Sequence, residues 1–291
     1  MAAVVHRTTR DLLRIAGPEA VGWLQGQLSQ DVAGLPVGEV TWTFVLAPQG
    51  KVEGWGRIQR LADDAVRIDV DPGAGAAWAA RLARFKLRTK ADIDLTEGVP
   101  ILAVRGDQPD AGLPAGWPGT VGGDLLPAPE DPDPAAGTWV DAALADLVAG
   151  GATEVDAAAF TARRVRAGVP AWGAELDADT IPATVGQWAI DASVSFTKGC
   201  YTGQELVARI DSRGGNVPRR LVAVTAPAGT ALSAGDAIEV DGAERATVTT
   251  VTTDERGDLL GLAYLQRSVE TPATGTVGGA AVELVRVPVR G

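Results

Sequence analysis

The chain has 291 residues, with 26 Lys plus Arg against 37 Asp plus Glu and a formal net charge of −11. At roughly 150 residues per domain the length predicts about two domains, and 46 % apolar with 22 % charged residues excludes a disordered tail protein or a fibrous repeat. The acidic balance excludes a nucleic-acid binder that works through bulk charge, although it leaves room for a local basic patch. Met1 to Arg7 is too short for a signal-peptide core, and no stretch reaches the roughly 18 apolar residues of a membrane helix. A cytoplasmic protein with no membrane attachment is expected. Arg10 to Ile15 alternates as a strand. Gly17-Pro18 opens a helix with Pro at its first position, and Val21, Leu24 and Leu28 share one face. Val40 to Leu46 and Val52 to Leu61 flank the turn Pro48-Gln49-Gly50-Lys51 and form a hairpin. Ala76 to Leu87 is helical through Trp78, Leu82 and Phe85, and a further strand runs around Ile93 and Leu95. The order strand, helix, three strands, helix, strand is ferredoxin-like with an extra hairpin strand. Residues 105–135 hold seven prolines and six glycines and read as a long surface loop, either a connection between subdomains or a decayed element. Asp141 to Val148 and Glu154 to Ala167 read as helices, the second stopped by Gly168 with Pro170 just beyond. From Arg220 onward, β-rich runs at 221–226, 237–240, 246–252, 259–265 and 281–287 predict a small barrel, with a boundary near residue 216.

The segment Phe196 to Arg209 gathers the only cysteine, Cys200, one of four lysines, Lys198, and one of two tyrosines, Tyr201. A single cysteine excludes an internal disulfide and an all-cysteine metal site, so no metal is expected. Gly199 and Gly203 permit backbone angles closed to other residues, as a tight strand-to-helix turn requires. Thr202-Gly-Gln-Glu205 before Leu206 and Val207 has the spacing of a capping box, which starts a helix just after the cysteine. The partial positive charge at that helix start, with Lys198 and Arg209 nearby, would favour the thiolate of an exposed Cys200. The same residues admit plainer roles. Cys200 is then an inert small hydrophobe, Glu205 a reciprocal cap, Lys198 and Arg209 solvated charges, and the glycines turn formers.

Lys198-Gly-Cys-Tyr-Thr-Gly-Gln-Glu205, followed by Val-Ala-Arg209, resembles the mark of the YgfZ branch of the glycine-cleavage T-protein superfamily. These are folate-binding proteins implicated in iron-sulfur cluster assembly and repair. Similar support comes from Gly17-Pro-Glu-Ala20, the run Leu24 to Val32, the run Leu46 to Val52, and Ala167-Gly-Val-Pro170 with Gly173. The resemblance spans nearly the whole chain and is weakest across 105–135. It implies an α+β, T-protein-like fold: ferredoxin-like N-terminal subdomains around a central cleft over residues 1–215, then a small C-terminal β-barrel over 216–291. It also implies tetrahydrofolate in the cleft, iron-sulfur client or assembly proteins as partners, and no direct nucleic-acid binding. The working residues would be Cys200, Lys198 and Glu205, within a motif that includes Gly199, Tyr201, Gly203, Gln204 and Arg209.

Aminomethyltransferases of the superfamily carry an aspartate where Cys200 stands, an acidic residue ahead of the second N-terminal helix, and a pterin-binding glutamate before the Ala-Gly of the helix end. Here Gly73 to Ala77 offers no carboxylate, Asp69 and Asp71 lie just upstream, and Arg166 replaces the glutamate. Arg166, Trp188 and Asp71 are the candidate folate contacts. The eight tryptophans either stack on a flat ring or pack in the core, with Trp188 the candidate for the cleft. Arg163, Arg164 and Arg166, then Arg213, Arg219 and Arg220, either form patches that meet an anionic folate tail or are ordinary surface. His6 is expected to be incidental. Three functions follow: a folate-binding accessory factor for iron-sulfur proteins, a one-carbon transferase disfavoured by the missing carboxylates, and a non-catalytic folate sensor or scaffold. One thiol cannot hold a cluster that generally needs four ligands, so any cluster contact is transient, shared or indirect.

Overall fold

The computed structural model describes residues 2–107 and 112–289. Residues 108–111 of the Pro/Gly-rich stretch, and the extreme ends at 1 and 290–291 of the two expected domains, lie outside the described residues. The first half runs β1 (Val4–Ala16), α1 (Ala20–Gln27), β2 (Val40–Leu46), β3 (Val52–Ala62), β4 (Ala65–Val70), α2 (Gly75–Lys86) and β5 (Asp92–Arg105). That is the expected element order. β1 is longer than its alternating core because it lies centrally, with β5 along one side and β4 along its second half. Helix α1 starts at Ala20, two residues later than the proline rule placed it. Pro18 sits in a turn where the Gly17 N–H donates to Asp64 O and the Glu19 N–H to Lys90 O.

The Pro/Gly-rich stretch is not a surface loop throughout. It contributes β6 (Leu113–Pro114) and β7 (Gly123–Leu125), which extend the sheet to the order β2-β3-β4-β1-β5-β7-β6. Ala115, Trp117 and Asp124 within it are buried. Composition misled here because two short strands are held by their partners rather than by their own propensity. After α3 (Val140–Ala149), the pair β8 (Thr153–Glu154) adds in parallel to the start of β1. Helix α4 (Ala157–Ala167) therefore begins after Glu154, with Asp156 accepting from the Ala159 N–H at 2.8 Å. It stops as expected at Gly168, whose φ of +70° turns the chain while its N–H and that of Val169 return to the last carbonyls.

Helices α1 and α2 cover one face of the sheet. Leu24, Leu28, Trp78 and Leu82 bury there against Leu13, Ile15, Ile58 and Ile68, each side chain contributing about 1.5–3 kcal/mol. The opposite face, carrying Trp42, Phe44 and Trp55, packs on α4, α5 (Gln187–Ser193), α6 (Gln204–Asp211) and part of the barrel. The barrel closes in the order β10-β11-β12-β9-β14-β13. Its strands are β9 (Arg219–Ala226), β10 (Ala237–Val240), β11 (Ala243–Thr253), β12 (Leu259–Gln266), β13 (Ala273–Val277) and β14 (Ala280–Val285). β13, an Ala-Thr-Gly-Thr-Val run without clear apolar alternation, escapes sequence reading. The class is α+β with a C-terminal barrel, as implied. No helix among the described residues is long and apolar enough to cross a membrane.

Candidate functional site

The cysteine loop lies between α5 and α6 and is held from three sides. Lys198 Nζ donates to the carbonyls of Gln25, Leu28 and Gln30 at 2.6, 2.7 and 3.0 Å. These acceptors cluster at the C-terminal end of α1, where helix carbonyls lack internal partners and carry partial negative charge. Three ammonium protons meet three acceptors. Burial pushes Lys198 down to about 8, against the pull of Asp31. Next, the Thr202 N–H donates to Gly26 O at 3.2 Å. Gly203 then presses on the β2–β3 turn, where a Cβ would lie 2.5 Å from Ala47 O.

That approach replaces the expected capping box. Gly203 occupies the cap position with φ +82° and no side-chain cap bond forms, while Gln204 Oε1 accepts from the Tyr201 N–H at 3.1 Å. The helix still begins just after the cysteine. Cys200 is exposed, as are Gly199, Glu205 and Arg209, whereas the Tyr201 ring is buried and its hydroxyl is pushed up to about 12. Lys198 lies 5.0 Å from the Tyr201 ring centroid.

A cavity of about 140 Å³ lies between the sheet and α4. On its wall Trp42 and Trp55 stack 4.0 Å apart at 13°, and Trp117 and Phe160 stand 5.4 Å apart. Its polar lining is a buried ion network. Arg57 reaches Asp69 and Asp124, each at 2.8 Å, Arg105 reaches Asp124 at 2.7 Å, and Arg10 reaches Asp69 at 3.1 Å. Burial alone would raise Asp124, but Arg105 and Arg57 more than offset it and hold the carboxyl below its ordinary range. Burial likewise opposes the charge on Arg57, yet Asp69 and Asp124 leave its pKa raised. Asp71, less buried than these, accepts from Arg10 with one oxygen and from the Trp172 N–H at 2.8 Å with the other. Among the described residues, Arg105 Nε is buried without a hydrogen-bond partner. A chamber with this lining could take a flat ring against its aromatic wall, with the Asp71 carboxylate and the Arg105 guanidinium beside it.

Cys200 does not line this cavity. A relay of hydrogen bonds joins the two: Trp55 Nε1 donates to Ser193 Oγ at 3.0 Å, and Ser29 Oγ to Ser193 O at 2.6 Å. The Ser195 N–H then donates to Ser29 O at 3.0 Å, and the Lys198 N–H to Ser195 Oγ at 3.2 Å.

Of the candidate folate contacts, only Asp71 lines the cavity. Trp188 backs onto Trp55 from behind, edge-on with centroids 5.9 Å apart. Arg166 points away, to Glu255 at 2.8 Å and Asp254 at 3.4 Å, and holds Glu255 down at about 2. Phe160 and Arg164, four residues apart on α4, take the cavity side instead. Arg163 also meets Glu255, Arg219 stacks over Tyr264, and Arg220 donates to barrel carbonyls, so these arginines are engaged within the chain; Arg213 is exposed. His6 is not incidental, since it stacks on Phe160 at 4.9 Å and its Nδ1 lies 3.0 Å from Val155 O. Although 73–77 holds no carboxylate, Asp11 reaches there from β1 and accepts from the Gly73 and Gly75 N–H groups at 2.8 and 2.9 Å.

Sequence reasoning missed Arg57, Arg105, Asp124 and the wall formed by Trp42, Trp55 and Trp117. A signal existed for part of this. Arg57 and Asp69 each interrupt a buried strand and face each other in the β3–β4 register. Among the described residues, no three His, Cys, Asp or Glu side chains gather as a metal set.

No family model matches the sequence. A tRNA-modifying protein YgfZ of Enterobacter sp. (strain 638) is 31 % identical over 221 residues, covering 70 % of this chain and 66 % of that one. An iron-sulfur cluster assembly factor IBA57 homolog of Neurospora crassa is 25 % identical over 230 residues, 73 % of this chain but 51 % of that protein. The glycine cleavage system aminomethyltransferase T of Bartonella henselae superposes with a TM-score of 0.75 at 20 % identity, over 99 % of this chain and 86 % of its own. With the fold of the glycine-cleavage T protein around it and the motif Lys198 to Glu205 in place, the chain belongs to the YgfZ family.

Proposed function

We propose that this chain binds a reduced folate in the aromatic cavity and serves iron-sulfur proteins as an accessory factor through Cys200. The observation that carries the reading is an exposed thiol on a clamped loop, joined by hydrogen bonds to the wall of a ring-shaped site. The names of the relatives, tRNA modification for the bacterial protein and cluster assembly for the fungal one, support the same field of action. The residues present fit the group. The cavity is close to the roughly 150 Å³ that holds a benzene ring. A second space of about 460 Å³, lined by Arg163 and Arg166, shares Arg105 as a border residue and would be the place for the rest of a larger folate. Asp71 would accept N–H groups of the ring edge, Arg105 Nε would donate to an acceptor, and Trp42 with Trp55 would supply the flat face. When bound, the folate supplies one-carbon chemistry.

Aminomethyl transfer is not part of this function. It needs a carboxylate that can take up and release a proton beside the folate nitrogens. Asp69 is tied to arginines, and Asp71, which would meet the ring edge, already accepts from Arg10 and the Trp172 N–H and so serves as a hydrogen-bond acceptor only. Cys200, Glu205 and Arg209 face outward, where a client in the cytoplasm could bring further ligands to a cluster that one thiol cannot hold. Complementation of a strain lacking its own family member tests the thiol: Cys200→Ala should fold normally and fail to rescue, and full rescue overturns its role. Calorimetry tests the folate: tetrahydrofolate should bind with micromolar affinity, at least tenfold weaker in Asp71→Asn, and no heat at millimolar ligand overturns that half.

A further inference from the structure

The end of α2 and the turn after it read Arg84-Phe-Lys-Leu-Arg-Thr-Lys90, four cations in seven residues of a chain whose net charge is −11. Arg84, Arg88 and Lys90 are exposed, and none of their side chains has an ion pair or hydrogen bond among the described residues. Lys86 stands 3.9 Å from Asp92. Two apolar side chains rise between these charges. Leu87 is 92 % exposed and Phe85 38 %.

Leu87 holds φ +46° and ψ −114°, a backbone conformation that costs a branched L residue and that glycine would adopt freely. Folding gains nothing from an aliphatic side chain left in water on a strained backbone. Phe85, by contrast, is fixed. The Arg81 guanidinium lies 4.0 Å from its ring centroid and is itself locked by Glu53, Leu46 O and Gln27. Trp23 Nε1 donates to Phe85 O at 3.2 Å. The Phe85 anchor is therefore held in place before any partner arrives.

Its position adds a reason. The segment runs antiparallel to α1, with Arg81 beside Gln27, Phe85 beside Trp23 and Lys90 beside Glu19. α1 is eight residues long, about 12 Å, and Lys198 of the cysteine loop caps its far end. An interface of the usual ~800 Å² per partner spans both features.

We propose that Arg84 to Lys90 docks an acidic protein, with Phe85 and Leu87 as apolar anchors and Arg84, Arg88 and Lys90 as the charged rim. Apolar anchors inside a complementary rim are the anatomy of a protein interface. A nucleic acid is disfavoured because the most exposed anchor, Leu87, offers a base no stacking face, whereas apolar anchors inside a charged rim match a folded protein surface. An anionic membrane is disfavoured because two apolar side chains on one turn bury far less than the apolar face of a membrane-bound helix. The inference stands on the patch and does not depend on what fills the cavity.

The test places a p-benzoylphenylalanine photocrosslinker at the exposed Ala83 of the full chain in cells. The captured protein is then purified and titrated by calorimetry against wild type, Leu87→Gly, and the double variant Arg84→Glu with Arg88→Glu. The expected adduct is an acidic protein whose affinity falls at least tenfold in both variants and weakens with salt. The melting temperature of Leu87→Gly should be unchanged or raised, because glycine relieves the strain. No adduct, an adduct with RNA or lipid, or affinities within twofold of wild type in both variants overturns the proposal.

Discussion

Asp124 carries two arginines, bridging Arg57 at 2.8 Å and Arg105 at 2.7 Å where all three are buried. Removing one member of a buried ion network leaves charges unpaired and costs about 3–5 kcal/mol. Asp124→Asn should destabilise the protein by that order in urea unfolding. The effect should depend on pH. Arg105 and Arg57 hold the folded-state Asp124 carboxyl below its ordinary range, so its stabilisation is full above that range and is lost as pH falls through the native pKa. The gap between wild type and variant should therefore close below about pH 4, and a constant gap would contradict the pairing. Little of this was legible, because Asp124 sits in a stretch whose prolines and glycines announce a loop. Lys198 shows a different limit. Its motif marks it beside Cys200, yet its partners are backbone carbonyls of residues 25, 28 and 30, and a carbonyl leaves no signature in the residue type. What reads as an activating charge is placed as a clamp.

At the scale of elements, local pairing was readable and distant pairing was not. The β2–β3 hairpin is announced by its own Pro-Gln-Gly turn, and α4 by its glycine stop, because each depends on neighbours in sequence. The capping box failed for the opposite reason. Its spacing is correct, but the start of α6 is decided by the turn 47–50, about 150 residues away, against which Gly203 must lie. Two motifs that look separate, Leu46 to Val52 and Lys198 to Glu205, are thus the two halves of one contact, with Gly50 and Gly203 both at positive φ. Gly203→Ala would strain the backbone and crowd Ala47 O, costing about 2 kcal/mol or more. Thermal unfolding should report that loss, and alkylation of Cys200 should change rate severalfold as the loop shifts. An unaltered melting curve would mean that the approach is not needed.

Across the whole molecule, one carboxylate fastens the barrel to the cavity. Glu175, buried to 1 % exposure, accepts from Thr249 Oγ1 at 2.7 Å and Thr250 Oγ1 at 2.5 Å on β11. Its other oxygen accepts from Arg164 at 2.9 Å and from the Ala171 N–H at 3.0 Å. Arg164 lines the cavity and also donates to Thr250 at 3.0 Å, while Tyr264 of β12 donates to Glu175 O at 2.6 Å. The barrel has an apolar core of its own, but Leu221, Leu260, Leu262 and Tyr264 belong to the core shared with α4, α5 and α6. Its docking is therefore both apolar and ionic. Glu175→Gln keeps the shape, removes the charge facing Arg164, and replaces one acceptor with an amide. We expect a loss of about 3 kcal/mol or more, since Arg164 would be left partly buried without its counterion. We also expect weaker tetrahydrofolate binding, because Arg164 is free to turn into the cavity. Calorimetric melting and ligand titration on the same variant distinguish the two effects. Should stability fall while ligand heat stays at the wild-type value, the bolt serves the fold alone; should neither change, Glu175 does not join barrel to cavity.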